Sequence, residues 1–546
     1  MSTDTTLLHL PPEFTKRMAQ DYPLPVSEGI LAGMQTPASV SVRLNPAKKV
    51  DKDGVLSAEI DAAVPWWNGL KQQTGPCEPS DGGTSVASAY YLKERPRFAH
   101  DPFWHAGAYY VQDASAMFLA RVISRLDLFG SKFPQDHNGS HSDCEPFVAL
   151  DLCAAPGGKS LLLRDLLPPR TILLSNEIHP ARAQVLKENL TKWCGMRECV
   201  VTRSDPRALA QALPPESLDL ILVDAPCSGE GLFRKEPQAV EMWSEEGVTM
   251  CARRQWDILQ QADRLLAPNG LLIYCTCTLN REENEDIAHR LIEALGYTPV
   301  PIPITAQERA LGVYAPTEAG EQEPSLGVHL FPGVVRGEGQ YIVVLRKGGA
   351  RAEENPFLKP GKSAFSSDDL NGEAPACLSS SAKRGNKKGK KQRGESSEAL
   401  FPSDLKGLIP AHIPPEELFL NSDGVWCRLT LPARRIASLL TQNGVKVLAS
   451  GTPLLAPQPK GNRAAAPEWS MAMAFASELI PYPKVHLTRA EALRYLRGEA
   501  SAVPEELSAC PSPYVLICYQ SLPLGFSRLL PNRLNNLYPK EYRLRT

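Results

Sequence analysis

The sequence predicts an α/β protein built around an open, Rossmann-like sheet of parallel strands. Between residues 111 and 348, short apolar runs alternate with amphipathic helical patterns, as they do in βαβ units. The first of these runs, 147–152, passes directly into a Gly-rich turn, and later runs end in acidic residues or cysteines. Because ligands bind beyond the carboxyl ends of parallel strands, we expect these residues to line one crevice.

The strands and helices follow from the spacing of apolar residues along the chain. Continuous apolar runs predict strands at 147–152, 171–176, 198–202, 218–223, 271–276 and 340–346. Helical spacing predicts helices at 158–167, 179–193, 250–266 and 282–295. Side chains alternate between the faces of a strand, so Cys275 points away from Cys277 and is expected in the core.

Composition predicts a soluble, multidomain protein. The chain has 546 residues, of which 43% are hydrophobic and 22% charged, and a prior of ~150 residues per domain gives three or four domains. The net charge of −2 neither predicts nor excludes nucleic-acid binding, because binding depends on local patches. No apolar stretch approaches the ~20 residues that a membrane span needs.

The cysteines and the N-terminus predict a cytoplasmic protein that holds no metal. The thirteen cysteines include no Cys-x-x-Cys pair, which argues against a zinc site, and their scatter indicates reduced thiols. The first residues, Met1 to Asp4, lack the basic and apolar regions of a signal peptide. A monomer is the default expectation.

Breaks in composition divide the chain into four predicted regions. These are an N-terminal module at 1–110, a catalytic domain at 111–348, a flexible basic linker at 349–400 and a C-terminal region at 401–546. The linker is rich in Gly, Ser and Lys, and its segment 383–393 holds seven Lys or Arg. A polar, Gly/Ser-rich segment at 128–146 is a predicted insertion before the first core strand.

The turn after the first strand predicts a cofactor site. It consists of Cys153, Ala154, Ala155, Pro156, Gly157, Gly158 and Lys159. Small residues let the backbone approach a ligand, and the next helix offers free amides. A phosphate-binding loop would need Gly at 153, where Cys stands, and the dinucleotide fingerprint is absent. An adenosine-type cofactor remains.

Acidic residues follow the next three predicted strands. Glu177 comes about twenty residues after the glycines, where an acid commonly accepts the ribose hydroxyls. Asp205 is placed to meet the adenine edge, and Asp224 follows the fourth strand. This layout predicts S-adenosylmethionine (SAM) as the cofactor. The alternative is that the three acids only cap the helices that follow them.

Two cysteines at neighbouring strand ends predict covalent chemistry. Cys227 lies in Asp-Ala-Pro-Cys, and Cys277 lies in Thr-Cys-Thr. Attack of a thiolate at C6 of a pyrimidine makes C5 nucleophilic enough to accept a methyl group. Asp224 would hold the N3 edge of the ring. The alternative is that both thiols are small buried hydrophobes, and the chemistry alone leaves open which thiol attacks.

These motifs resemble those of the Nol1/Nop2/Sun family of RNA cytosine-5 methyltransferases. The resemblance covers about 30–348. Its motifs are Arg-Leu-Asn-Pro at 43–46, Tyr110 with Gln112, Asp113 and Ser115, the turn 152–159, Asp-Ala-Pro-Cys-Ser-Gly-Glu-Gly at 224–231, Thr-Cys-Thr at 276–278, Glu-Asn-Glu at 283–285 and Gly-Glu-Gly-Gln-Tyr at 337–341.

The resemblance implies a role for each site residue. It makes Cys277 the nucleophile and Cys227 the thiol that assists product release. It makes Asp224 a residue that orients the base and also contacts the cofactor. The same resemblance assigns cofactor contacts to the 153–159 turn, Glu177, Asp205 and Arg182.

The C-terminal region has a resemblance of its own. Its segments 487–499, 524–528 and 535–540 are similar to the PUA-like tail of bacterial small-subunit rRNA methyltransferases of the RsmF/YebU type. The implied architecture is a Rossmann-like methyltransferase core, an α+β RNA-binding module before it and a PUA-like domain after it.

Several cations are candidates for RNA contacts. Arg43 and Asn45 are placed to touch the RNA backbone, unless they serve the turn and its packing. The basic residues near the C-terminus are Arg528, Arg533, Lys540, Arg543 and Arg545. The 383–393 run would add non-specific affinity, unless it is a solvated spacer.

The sequence therefore predicts SAM-dependent methylation of cytosine C5 in RNA, with small-subunit rRNA as the preferred substrate. The base must be splayed out or already unpaired to react. A tRNA methyltransferase with the same chemistry is the nearest alternative. A non-catalytic RNA-binding or assembly factor is the alternative from another class, and both intact thiol motifs argue against it.

Overall fold

The structure is a computed structural model. It describes residues 8–48, 59–67, 89–126, 128, 146–168, 170–316, 326–349, 357, 401–457, 465–475, 478–479, 481–507 and 510–545. The basic run 383–393 lies outside the described residues, as do nearly all of the predicted linker 349–400 and of the predicted insertion 128–146.

The helices are α1 Pro12–Asp21, α2 Leu24–Met34, α3 Pro102–His105, α4 Ala114–Ser124, α5 Gly158–Leu166, α6 Pro180–Cys194, α7 Pro206–Ala212, α8 Pro237–Met242, α9 Glu245–Leu265, α10 Glu285–Leu295, α11 Ala306–Ala310, α12 Leu431–Gln442, α13 Trp469–Phe475 and α14 Arg489–Leu496. In the described parts of the chain, none of these helices is long and apolar enough to cross a membrane.

The strands fall into one large sheet and three small ones. They are β1 Val40–Leu44, β2 Ile60–Ala63, β3 Ala89–Leu92, β4 Tyr109–Val111, β5 Val148–Asp151, β6 Ile172–Asn176, β7 Cys199–Arg203, β8 Leu218–Asp224, β9 Leu266–Thr276, β10 Thr298–Pro299, β11 Val313–Tyr314, β12 Val328–Leu330, β13 Gln340–Arg346, β14 Leu418–Leu420, β15 Trp426–Arg428, β16 Lys446–Ser450, β17 Thr452–Ala456, β18 Ala466–Pro467, β19 Lys484–Leu487, β20 Tyr514–Tyr519, β21 Leu522–Leu530 and β22 Arg533–Asn536.

The large sheet is Rossmann-like, which confirms the predicted fold class. Its strand order is β11-β12-β13-β9-β8-β5-β6-β7-β16, and the five central strands from β9 to β7 run parallel. The chain passes from β5 through β6 to β7 and then returns to β8 on the other side of β5. A topological switch point therefore lies between β5 and β8, where open α/β sheets bind ligands.

The C-terminal region adds a strand to this sheet. β16 pairs antiparallel with β7, and Lys446 lies opposite Arg203. Its residues Val447, Leu448 and Ala449 are buried, so the strand covers an apolar sheet edge that would otherwise be open to other chains. The predicted division at 348 and 401 stays a prediction, and the sheet itself contains residues from both sides of it.

Two predicted elements begin at the wrong residue. α9 starts at Glu245, five residues before the predicted start, because the Ser244 hydroxyl accepts a hydrogen bond from Gly247 N and caps the helix. β9 starts at Leu266 because the strand continues through an Ala-Pro-Asn-Gly stretch that is typical of a turn.

The N-terminal helices lie against the catalytic domain close to Cys277. Phe14 of α1 is fully buried and contacts Phe233 edge to face at 5.3 Å. The Tyr22 hydroxyl, at the end of α1, donates to the carbonyl of Leu279 at 2.5 Å. The first residues of the chain thus support the loop that follows β9.

The N-terminal module also packs against the C-terminal region. Phe103 meets the ring of Tyr519 at 4.9 Å, and His105 Nδ1 lies 3.2 Å from the Tyr538 hydroxyl. Phe103 and Tyr538 belong to one buried apolar cluster, Tyr519 packs against it, and His105 is also buried. Two regions far apart in sequence therefore form one packed unit beside the catalytic sheet.

The structure gives Arg43 and Asn45 the packing role, which is the second of the two alternatives that the sequence left open for them. Arg43 is fully buried, forms an ion pair with Asp165 and donates to Gln112 Oε1 at 2.8 Å. Asn45 donates to the carbonyls of Gly107 and Trp193, both at 2.9 Å. Each side chain satisfies buried partners, which leaves no donor for a phosphate.

Candidate active site

A cavity of about 1020 Å³ opens at the carboxyl ends of the parallel strands β5 to β9. One side is formed by the ends of β5, β6 and β7. The other side is formed by α9 and by the two loops that carry Cys227 and Cys277, residues 225–231 and 277–284, which we call the cysteine loops. Its lining residues are Leu152, Cys153, Ala155, Lys159, Asn176, Glu177, Ile178, His179, Arg182, Asp205, Pro206, Arg207, Asp224, Ala225, Pro226, Cys227, Gly229, Leu232, Arg254, Asp257, Ile258, Gln261 and Cys277.

The Gly-rich turn connects β5 to α5 beneath this cavity. Cys153, Ala155 and Lys159 line the cavity, whereas Ala154, Pro156, Gly157 and Gly158 form the turn itself. Gly157, which directly precedes α5, has a φ of +117°. Residues with a Cβ atom rarely adopt this backbone conformation, so glycine is favoured here. Burial raises the pKa of the Cys153 thiol well above its usual range, so this cysteine stays protonated.

The two acids after β6 and β7 face the cavity and also hold backbone amides. Glu177 accepts a hydrogen bond from His179 N at 2.8 Å, and Asp205 accepts one from Arg207 N at 2.8 Å. Asp205 is the N-cap of α7. Capping and facing the cavity are thus compatible for these residues, because each carboxylate keeps a second oxygen for a ligand.

Arg182 lies at the rim of the cavity. Its guanidinium donates to the carbonyl of Ala155 at 2.6 Å and lies 3.7 Å from Glu177. The side chain is 58% exposed. Arg182 therefore braces the Gly-rich turn against the start of α6.

Asp224 ends β8 at the centre of the cavity and pairs with Lys159. The Lys159 Nζ lies 2.8 Å from Asp224 Oδ2, and the Asp224 side chain is 34% exposed to the cavity. Burial alone would lower the pKa of Lys159, but the Asp224 carboxylate outweighs it and raises the pKa. The ammonium fixes one carboxylate oxygen and leaves the other free for a ligand.

A second carboxyl group lies beneath the switch point. Asp151 at the end of β5 is fully buried, and its Oδ2 accepts from the Ser160 hydroxyl at 2.6 Å. Burial raises the pKa of Asp151 to about 7, and the neighbouring Asp224 adds to that rise. Its Oδ1 has no hydrogen-bond partner in the described part of the chain.

The two predicted site cysteines meet across the cavity wall. The Sγ atoms of Cys227 and Cys277 are 3.3 Å apart, both residues are half-buried, and both line the cavity. The hydrogen bond to Cys277 and burial raise the pKa of Cys227 well above its usual range. Cys227 therefore stays protonated. Cys275, on the opposite face of β9, is fully buried, as predicted.

Two buried carboxylates that we did not predict as site residues join the cysteine loops. Glu230 Oε2 accepts from the Thr278 hydroxyl at 2.7 Å and from Leu279 N at 2.8 Å. Glu283 accepts from Ser228 N at 3.0 Å and from the Asn280 amide at 2.9 Å. Each acid therefore bonds from one cysteine loop to the other.

A glycine brings the backbones of the two loops into contact. Gly231 N donates to the carbonyl of Cys277 at 2.9 Å. A Cβ at Gly231 would lie 2.4 Å from that oxygen and 2.2 Å from the Glu338 carbonyl. Any other residue at 231 would push the loops, and with them the thiols, apart.

One face of α9 also lines the cavity, and we did not predict its residues as site residues. Arg254, Asp257, Ile258 and Gln261 line it opposite the cofactor side. Their spacing of three and four residues places them on one helix face. Amphipathic periodicity alone assigns such polar positions to solvent.

Two family models match this chain, one in the catalytic domain and one in the C-terminal region. The family model described as 16S rRNA methyltransferase RsmB/F matches residues 143–346, and the one described as methyltransferase RsmF PUA domain matches 482–544. The latter span covers the sheet β19-β20-β21-β22, in agreement with the predicted PUA-like domain.

The chain is also similar to individual proteins. The "Ribosomal RNA small subunit methyltransferase F" of Pectobacterium atrosepticum is 32% identical over 65% of this chain and 67% of its own. Its namesake from Enterobacter sp. (strain 638) is 27% identical over 97% of this chain and 95% of its own. NSun6 from Pyrococcus horikoshii with SFG is 18% identical, covers 62% of this chain and 99% of its own, and gives a TM-score of 0.45.

Proposed function

This chain belongs to the RsmB/F family of 16S rRNA methyltransferases, and we propose that it methylates C5 of a cytosine in small-subunit rRNA with SAM as the donor. One observation carries the chemical part of the proposal. Two half-buried thiols lie 3.3 Å apart beside the Lys159–Asp224 pair, in a cavity at the switch point of the sheet.

The residues of the cavity fit SAM. When bound, SAM supplies an electrophilic methyl group on a sulfonium. Glu177 and Asp205 present carboxylates at the ends of β6 and β7, where ribose hydroxyls and an adenine edge bind in this class of fold. The volume of about 1020 Å³ reaches the upper end of the usual range for a single ligand, about 300–1,000 Å³. A cofactor and a target base therefore fit side by side.

Cys277 is the proposed nucleophile. Its thiolate would attack C6 of the cytosine, forming the S–C6 bond and moving the electrons of the C5=C6 double bond toward C5. The free oxygen of Asp224 would accept a hydrogen bond from the N4 amino group or a protonated N3, which stabilises the electron-rich ring. Carbon C5 is then nucleophilic enough to take the methyl group.

Cys227 is the proposed release residue. After methyl transfer, C5 still carries its proton, and loss of that proton re-forms the C5=C6 double bond while the S–C6 bond breaks. Cys227 Sγ lies beside Cys277 Sγ and would take part in this proton transfer as the adduct resolves. The proton leaves to solvent, and the Cys277 thiolate is regenerated.

The flanking regions would hold the RNA. We propose that the N-terminal module at 1–110 and the region at 401–546, with its PUA-like domain, grip structured RNA around a splayed-out cytosine. The packing of Phe103 on Tyr519 and of His105 near Tyr538 supports this, because it joins the two flanking regions to each other.

The test is methyl transfer from radiolabelled SAM to small-subunit rRNA, assembled small subunits, large-subunit rRNA and tRNA. We expect label in one of the first two substrates and 5-methylcytosine at the labelled position by bisulfite sequencing. Label confined to tRNA would refute the proposed substrate while the chemistry would stand. No label on any RNA or subunit would refute the enzymatic proposal and favour an RNA-binding factor.

A further inference from the structure

A second cavity, of about 390 Å³, lies on the opposite edge of the catalytic sheet. Three parts of the chain meet there: the segment after β1, the catalytic domain near the starts of β6 and β7, and the C-terminal region. Its lining residues are Asn45, Pro46, Ala47, Arg164, Asp165, Arg170, Trp193, Cys194, Arg197, Glu198, His412, Arg428 and Phe475. Because four arginines face two carboxylates, we name it the arginine cavity.

Both carboxylates of the arginine cavity are already occupied. Asp165 is paired with the buried Arg43 and accepts from Trp193 Nε1 at 2.7 Å. Glu198 is paired with Arg428 and accepts from the Thr430 hydroxyl at 2.7 Å. The acids that line the cavity are thus saturated by partners other than Arg164 and Arg197.

Two arginines of the arginine cavity, Arg164 and Arg197, form no ion pair with a carboxylate in the described part of the chain. Arg164 donates only to neutral carbonyls, those of Thr171 at 2.8 Å and Pro168 at 2.6 Å. The guanidinium of Arg197 is half-buried and has no hydrogen bond or ion pair within reach in the described ranges. Glu478, the carboxylate whose field reaches Arg197, accepts a hydrogen bond from His412 at 2.6 Å.

The local pKa shifts reflect this excess of positive charge. Burial lowers the pKa of Arg197, the neighbouring Cys194 opposes this shift, and the charges of Arg164 and Arg428 lower the pKa further. Burial, followed by the charge of Arg197, lowers the pKa of the nearby Lys48 to about 7. A half-buried guanidinium without a partner is costly unless an anion completes its shell.

We infer that the arginine cavity is an oxyanion site that binds a phosphate group of the RNA substrate away from the methylated base. The inference rests on the proposed function, because it assumes that the RNA passes this edge. Guanidinium groups match the oxygens of a phosphate in both charge and geometry. The partnerless Arg197 is the expected principal ligand.

The location defines what this contact would do. Helix α6 connects the two edges of the sheet, and its 15 residues span ~22 Å at 1.5 Å per residue. A phosphate bound so far from Cys277 carries no chemical role. It would set the register of a large folded RNA, because backbone contacts position a nucleic acid without reading its sequence.

The first test measures thermal stability with inorganic phosphate, against sodium chloride at equal ionic strength. We expect phosphate to raise the Tm of the full chain and of Arg309→Gln, an exposed arginine on α11. In Arg197→Gln, phosphate binding should weaken about tenfold or more, because a charge-assisted hydrogen bond is lost. Arg197→Lys should keep part of the response. No phosphate-specific rise in the full chain would refute the oxyanion site.

At pH 6.5, below the pKa of about 7 of Cys194, Arg197→Gln should fold normally, because the guanidinium it removes has no hydrogen bond or carboxylate partner in the described part of the chain. Its Tm without phosphate should equal or exceed that of the unsubstituted chain. A clear decrease would instead show that Arg197 stabilises the fold, and would refute its role as a ligand.

The second test separates RNA from free phosphate as the source of the oxyanion. We would measure binding of small-subunit rRNA as a function of salt concentration. Arg197→Gln should lose one phosphate contact, so its slope of log K against log salt should be smaller than that of the unsubstituted chain by about 0.7–0.9. An unchanged slope together with a lost phosphate response would identify a free-phosphate site and overturn the proposed RNA contact. Binding is measured without methyl transfer, so this result is independent of the proposed reaction.

Discussion

The chain contains two close pairs of cysteines, and their surroundings differ more than their spacing. Cys227 and Cys277 are 3.3 Å apart, and Cys194 and Cys199 are 3.9 Å apart. The first pair is half-buried and faces the large cavity, whereas the second is buried near the start of β7. Proximity of two thiols therefore does not by itself indicate catalysis. Access to a substrate and a neighbouring acid distinguish the first pair.

The two pairs are also held in different ways. Cys194 Sγ lies 3.2 Å from the carbonyl oxygen of Leu190, and Cys199 Sγ lies 3.2 Å from that of Arg197. These are local backbone contacts. The Cys227 and Cys277 loops are instead joined by the buried carboxylates of Glu230 and Glu283, which reach across about fifty residues of sequence. Buried carboxylates thus hold the loops of the first pair together, whereas the second pair contacts only nearby backbone carbonyls.

The largest expected effect comes from removing one thiol of each pair. Cys277→Ala should reduce the methylation rate by at least about 10³-fold, because the proposed nucleophile is removed. Cys199→Ala is the matched control and should keep the rate within about twofold. Radiolabel incorporation into small-subunit rRNA measures both. Comparable losses in the two variants would refute the distinction between the pairs.

Removing Cys227 should trap the reaction rather than prevent it. In Cys227→Ala the bond between Cys277 and C6 should form, while its release slows. A protein–RNA species should then survive a denaturing gel, and Cys199→Ala should give none. If Cys277→Ala accumulates the adduct and Cys227→Ala does not, the roles of the two thiols are reversed.

A smaller loss is expected when the support of the pair is weakened. In Glu283→Gln, an NH2 group would face the donors Ser228 N, Asn280 Nδ2 or Gln255 Nε2, and the loops would shift. We expect kcat to fall about tenfold with little change in KM, because positioning rather than binding is lost. Glu293→Gln, on the exposed surface of α10, serves as the control. A change confined to KM would indicate an RNA contact instead.

The smallest expected effect concerns the pH dependence of stability. A hydrogen bond from Cys199 lowers the pKa of Cys194 to about 7 in the folded chain. The Cys194 thiolate therefore stabilises the fold at pH 9 and above, and this contribution is lost as the pH falls through about 7. The Tm difference between the unsubstituted chain and Cys194→Ala, kept reduced, should grow by ~1 °C or more from pH 6.5 to 9. A difference that shrinks with rising pH would contradict this assignment.

Local pattern was sufficient to predict most of the catalytic sheet. Strands such as 218–223 and 340–346 are continuous apolar runs, and a buried parallel strand needs little else. The same pattern placed Cys275 in the core. It failed at the start of β9, because Leu266 already pairs with Leu218, the register resumes at Leu271 opposite Leu220, and the Ala-Pro-Asn-Gly stretch between them is an irregularity within the strand.

Motifs located the cavity but not the partners of each residue. The acids at 177, 205 and 224 and the thiols at 227 and 277 all line it. For Arg43 the sequence left RNA contact and packing open, because its local context does not reveal the ion pair with Asp165, over a hundred residues away. Glu230 lies in the motif at 224–231 and Glu283 in the motif at 283–285. The sequence feature that could have identified them is an acidic residue a few positions after a candidate site cysteine.

The sequence by itself determined the α/β class, the strand ends and the identity of the candidate reactive groups, because these depend on residue type and short-range periodicity. Tertiary structure decided the 3.3 Å approach of two thiols fifty residues apart and the addition of β16 to the sheet edge. It also left Arg197 in the arginine cavity without a carboxylate partner among the described residues. Each of these depends on which distant segments pack together, and long-range packing is set by the sum of many weak contacts rather than by any local pattern.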